Sequence, residues 1–260
     1  PITWLISITG YSVWGITLEW LLTLLIAGLG MRALLVEAGL DKPSASLWAL
    51  PYMLSGAVLT NAQHLTWLIS VAWIPWVLLG FWHILKQKNN WRSPIGFGLT
   101  ACLALTGGYP AFSIILHYIL GAIFLLFALK MWRRKEEKAL RRVSFKLAIG
   151  YLVFLICSAS FLAVFFEAKG LISRSGLSLQ EVYENALPVK ALSSLLFPWG
   201  TASMQNDWGA DISMLGMYLG FMTLPFFIFG LLRNRDSLTG IALVFGSLSL
   251  AAALGPVTPV

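Results

Sequence analysis

Lys130-Met-Trp-Arg-Arg-Lys-Glu-Glu-Lys-Ala-Leu-Arg-Arg-Val-Ser-Phe-Lys146 decides the fold, because apolar stretches of about membrane-spanning length flank it on both sides. Lys and Arg are retained on the cytoplasmic side of inserted helices, so this connection is expected inside. Every other loop can then be counted against it. Eight of the chain's 18 Lys and Arg residues fall within it. Such clustering is a topology signal near anionic headgroups and sets nucleic acid aside as the partner of the net charge of +7.

Outward from this loop, the candidate spans are Gly15–Leu35, Ala45–Leu59, His64–Leu85, Ser93–Thr106, Pro110–Lys130, Leu147–Glu167, Asp211–Leu232 and Leu238–Leu254. Pro1–Val13 is apolar, aromatic and broken by Gly10, which suits an interfacial helix better than a further crossing. Two spans are short: Ala45–Leu59 carries Pro51, which kinks a helix, and Ser93–Thr106 ends at Gly107-Gly108-Tyr109-Pro110. Either one can be re-entrant, provided protein surrounds it. With all eight crossing, 15 of the 18 cations lie inside; Lys169, Arg174 and Lys190 lie outside, as does Pro1. The expected fold is all-α: a polytopic integral membrane protein of about eight transmembrane helices forming one domain over residues 1–260. Its basic loop 130–146 is cytoplasmic and its long loop 168–210 extracytoplasmic.

Composition agrees. Hydrophobic residues make up 58% of the chain and charged ones 11%, where a soluble domain carries about a quarter charged. Cys102 and Cys157 each sit in an apolar run, with neither the polar surroundings of a disulfide framework nor the clustered ligands of a metal site. No signal peptide is readable. The chain starts without Met and stops just past an apolar segment, so a piece of a longer protein is expected.

Chemistry is expected on the outer face. Loop 168–210 combines turn residues, acids and aromatics, and loops this long in compact proteins are usually functional or disordered. Glu167, Lys169 and Arg174 follow one another where a span emerges; two cations beside a carboxylate can clamp a lipid-linked phosphate, or be ordinary flanking charge. Glu181, Glu184, Asp207 and Asp211 are the outer acids, and a general base for group transfer needs one positioned carboxylate. Asp207 and Asp211, with Trp208 between them, are the candidates here, although no known metal spacing appears.

Within the spans, Glu19 is costly below the headgroups and so marks a site, unless it sits at the interface beside Trp14 and Trp20. Asn61, Gln63 and His64 form an outer turn able to bond a sugar or phosphate, or simply a turn that must be polar. His117 lies about two turns inside its span; with no titratable partner at matching depth, structural bonding outweighs a proton relay. No nucleotide-binding Gly-rich loop, Ser-His-Asp set, metal motif or fixed-period repeat can be read, and an inverted-repeat transporter gains no support.

The order of several segments is familiar: Leu24-Leu-Ile-Ala-Gly-Leu-Gly-Met31, Glu37-Ala-Gly-Leu40, Met53-Leu-Ser-Gly56, His64-Leu-Thr-Trp67 and Ala72-Trp-Ile-Pro-Trp76. Leu105-Thr-Gly-Gly-Tyr-Pro110, Ala191-Leu-Ser-Ser-Leu-Leu-Phe-Pro198, Gly216-Met-Tyr-Leu-Gly220 and Ala253-Leu-Gly-Pro-Val-Thr-Pro259 follow. Over nearly its whole length the chain resembles the YfhO-like bacterial membrane proteins of the wider GT-C class of glycosyltransferases. The resemblance implies a multi-pass protein of the bacterial cytoplasmic membrane. Such a protein takes sugar from a polyprenyl-phosphate donor outside and passes it to an envelope polymer, lipid or protein. Lys169 and Arg174 are then offered to the donor phosphate, and Glu19, Gln63, His64, Tyr109 and Glu167 to the polar lining. The catalytic base of such enzymes lies in the first outer loop, which places it upstream of Pro1. No cofactor is implied with certainty, and a divalent metal is left open. Two departures stand out: the usual Gly-His-Pro turn reads Gly108-Tyr109-Pro110, and Glu19 stands where His is often found. These leave room for the other expectation, a non-catalytic subunit of a larger membrane complex.

Overall fold

The computed structural model describes residues 2–8, 10–87, 90–168, 170, 186–200, 215–233 and 237–255. Among them there is helix and no strand. They group into two compact units, one of residues 1–53 and 64–169, the other of 54–63 and 170–260.

The first unit contains α1 (Ile2–Ser7), α2 (Val13–Glu37), α3 (Lys42–Met53), α5 (Leu65–Leu85), α6 (Arg92–Thr106), α7 (Pro110–Arg133) and α8 (Glu137–Ala168); α4 (Gly56–Leu59) belongs to the second unit. Four of these helices, α2, α5, α7 and α8, are long and apolar enough to cross a membrane. Their outward surfaces remain apolar: Ile114, Ile115 and Tyr118 on α7 and Leu152, Leu155 and Ile156 on α8 are all exposed. Long apolar helices that leave apolar side chains uncovered, as α2, α7 and α8 do, belong in lipid. The chain is a helical membrane protein.

α2 packs on α5, α5 on α6 and α6 on α8, while α3 lies against α2. Side-chain bonds fix which ends meet. Glu37, at the end of α2, takes His83 at 3.0 Å and Lys86 at 3.3 Å, both at the end of α5. Tyr52 near the end of α3 donates to Val71 O at 2.7 Å, and Trp76 donates to Ile26 O at 3.0 Å. The long helices are thereby held in register, and every described Lys and Arg of this unit lies in the half nearer the basic turn.

The core is centred on a short helix. α6 has 15 residues, about 22 Å of helix against a hydrocarbon layer of about 30 Å, yet Phe97 and Ala101 are wholly buried. Small residues allow this. A Cβ on Gly98 would run into the backbone oxygen of Gly150 on α8, and one on Gly80 of α5 would meet Phe97 Cα at 2.9 Å. Close backbone approach through glycine is the usual way helices associate where burial supplies no drive between them.

Several boundaries differ from the sequence reading. α8 begins at Glu137, ten residues before Leu147, because the basic stretch is itself helical and turns Val143 and Lys146 inward. The expected span Ala45–Leu59 is two helices. The break falls at Leu54-Ser55 rather than at Pro51, and Ser55 is extended (φ −63°, ψ 153°) as α4 starts. α3 is thus about 18 Å long, too short to cross alone.

In the second unit, short 3₁₀ turns (Val189–Leu195 and Pro198–Gly200) precede α9 (Thr223–Arg233) and α10 (Ser237–Ala253). Leu215–Gly220 is not a continuous helix, so the expected span Asp211–Leu232 shortens to α9; Gly220, at φ +99°, ends the irregular stretch. Ser194 holds that stretch, donating to Leu215 O at 2.8 Å and accepting from Met217 N at 3.0 Å. Gly56 N donates to Tyr218 O at 2.5 Å.

Candidate functional site

The first unit contains a cavity of about 260 Å³ walled by Glu19, Thr23 and Ile26 of α2, Ile69, Ala72 and Trp73 of α5 and Leu103 of α6. All but Glu19 and Thr23 are apolar. It lies toward the end of the unit remote from the basic turn, where α2 and α5 begin and α6 finishes.

Glu19 is completely buried. A carboxyl group in such a place needs partners for both oxygens, since an unpaired buried charge is costly. The partners come from the segment before α2. Thr3 donates its hydroxyl to Oε1, and the Tyr11 hydroxyl donates to Oε2 at 2.5 Å. Gly10, at φ +75°, turns the chain so that α1 folds back along α2, and Gly15 lets Ile6 rest on that helix. The Tyr11 hydroxyl is pushed up to about 12, first by its hydrogen bond to Glu19. The Thr23 hydroxyl closes on the Glu19 carbonyl at 2.7 Å and offers the carboxyl nothing. Trp14, on the turn before it, is largely exposed, while the Glu19 carboxyl turns inward.

At the same end of the unit, His64 stacks on Trp67 with ring centroids 4.7 Å apart, and Trp67 meets Tyr109 at 5.7 Å and Phe112 at 5.9 Å. Beneath them, buried Ser70 of α5 accepts from Tyr109 N at 2.7 Å, and Gly108 lies so close that any Cβ would strike the Ser70 oxygen. The Gly-Gly-Tyr-Pro turn is therefore pinned by its backbone, and the Tyr109 ring is committed to the aromatic group.

The structure therefore brings His64 and Tyr109 together. Gln63 lies exposed in the second unit, with Asn61 buried beside it. Glu167 is exposed at the end of α8. Lys169, Arg174, Glu181, Glu184, Asp207 and Asp211 fall outside the described residues. His117 Nδ1 bonds Ser113 O one turn back at 2.6 Å, and its ring packs on Tyr151 and Phe154, a structural role. Among the described residues no three His, Cys, Asp or Glu side chains come together as metal ligands. Sequence reasoning missed Thr3, Tyr11 and Ser70. For the first two a signal existed: a Glu inside an apolar run demands donors, and these are hydroxyls of the segment just before it.

No family model, no curated protein and no solved structure matches the chain.

Proposed function

We propose that the chain is the membrane-embedded part of a glycosyltransferase-like protein that uses a polyprenyl-phosphate-linked sugar on the face opposite the basic turn. It works in the bacterial cytoplasmic membrane and modifies an envelope polymer, lipid or protein. The observation that carries this reading is the apolar cavity with a fully buried carboxyl group in its wall. An apolar cavity of about 150 Å³ holds benzene, so 260 Å³ suits one or two five-carbon isoprene units. Ligand sites pair such walls with a few placed polar groups.

In this reading eight segments cross, with Lys169 and Arg174 receiving the donor phosphate. The acceptor oxygen attacks the anomeric carbon and the bond to phosphate breaks. A carboxylate, Asp207 or Asp211 if it lies within this chain, takes the acceptor's proton. The cations stabilise the departing phosphate. A second reading, a non-catalytic membrane subunit, is favoured by the Tyr109 ring, which is used in packing where the family turn carries His.

The test uses the whole chain in lipid nanodiscs with a photoreactive polyprenyl phosphate. Ala72→Phe, which fills the cavity, is expected to cut labelling about tenfold, equivalent to some 1.4 kcal/mol. Arg174→Ala is expected to weaken use of the sugar-bearing donor. Labelling indifferent to both substitutions removes the donor reading. Labelling without sugar transfer selects the subunit.

A further inference from the structure

We infer that Glu19 is a binding residue for ligand hydroxyl groups, and that Thr3 and Tyr11 now hold the places such hydroxyls would take. The carboxyl group borders the cavity, is wholly buried, and spends each oxygen on one hydroxyl donor. Both donors are neutral hydroxyls rather than cations, and among the described residues no Lys, Arg or His lines the cavity. The chemistry the site selects is therefore a pair of O–H donors at short spacing, as a sugar presents, joined to an apolar chain.

The donors are also replaceable. They lie on an outer segment whose Ile8 and Tyr11 are 82% and 41% exposed, and Gly10 gives it a turn of left-handed backbone at which to swing. Removing the segment without a substitute would leave a carboxyl group facing an apolar cavity, an arrangement that burial penalises strongly. Exchange for other hydroxyls avoids that penalty. A hydroxyl-free lipid gains nothing by it.

The inference deepens the donor reading but does not need a phosphate or a transfer reaction. The probes are decyl maltoside and decyl phosphocholine, equal in chain and different in hydroxyls, added to the full chain in nanodiscs. Decyl maltoside is expected to speed amide hydrogen exchange at Ile2–Ile8 and Tyr11, and decyl phosphocholine is not. Tyr11→Phe, which weakens the resident segment by one hydrogen bond, is expected to tighten maltoside binding about two- to tenfold and leave phosphocholine binding alone. Glu19→Leu should abolish the preference. Equal responses to the two amphiphiles, or an unchanged maltoside affinity in Tyr11→Phe, overturns the inference, and the Tyr11 variant decides it if the Glu19 variant fails to fold. Loss of labelling and transfer with the maltoside preference intact would remove the polyprenyl donor alone.

Discussion

Tyr11 and Glu19 make the clearest single-residue claim. The phenol is held protonated by its bond to the carboxyl group, so it should titrate near 12 rather than near 10. Because the folded value is the raised one, the bond contributes its full stability below pH 10 and loses it as pH rises through 12. Ultraviolet difference titration of the native chain against Tyr11→Phe should isolate one phenol that ionises late. Glu19→Leu should return it to the ordinary range, and an unmoved late phenol would assign the shift to some other group. The carboxyl site was half legible in the sequence. A Glu among Leu and Trp announces a cost, but whether it is met at an interface or by hydroxyls depends on a backfold set by one glycine.

Among elements, the α6–α8 contact carries the stability of the first unit. Gly98→Val drives a side chain into the Gly150 backbone, which cannot move aside, and overpacking of this kind costs roughly 1–3 kcal/mol. Gly121→Ala on α7 is the control, since nothing lies within 4 Å of its added Cβ. Denaturant unfolding in micelles should separate the two variants, and equal midpoints would contradict the packing described. Helix existence was readable from apolar runs and turn residues, and α5 and α7 start within a residue of their expected positions. Ends were less so. Hydropathy marks where lipid begins, whereas α8 continues as helix well into the basic stretch; and in Ala45–Leu59 the break falls at Leu54-Ser55, where Ser55-Gly56 is a turn pair, and not at the more conspicuous Pro51.

Across the whole molecule, the distribution of charge fixes the sides. In a background with Cys102 and Cys157 replaced by Ser, a cysteine at Lys138 should react with an impermeant maleimide only after permeabilisation. One at Lys190 should react in intact cells. The reverse pattern would invert the membrane map and move the cavity's buried carboxyl to the cytoplasmic leaflet. The acids and cations of the outer loop lie largely outside the described residues. What was least legible at this scale was the cavity, which arises from three helices that no local pattern brings together.

The short α6 has a consequence for biosynthesis. It is poorly suited to remain by itself in lipid, with Arg92 at its start and glycines along its length, yet its backbone neighbour Gly150 leaves the ribosome much later. Until α8 is threaded, α6 must wait beside α5 or within the insertion machinery. Assembly of this half of the molecule is therefore gated by the last helix to arrive, and a stalled or truncated α8 exposes α6 to membrane proteolysis first.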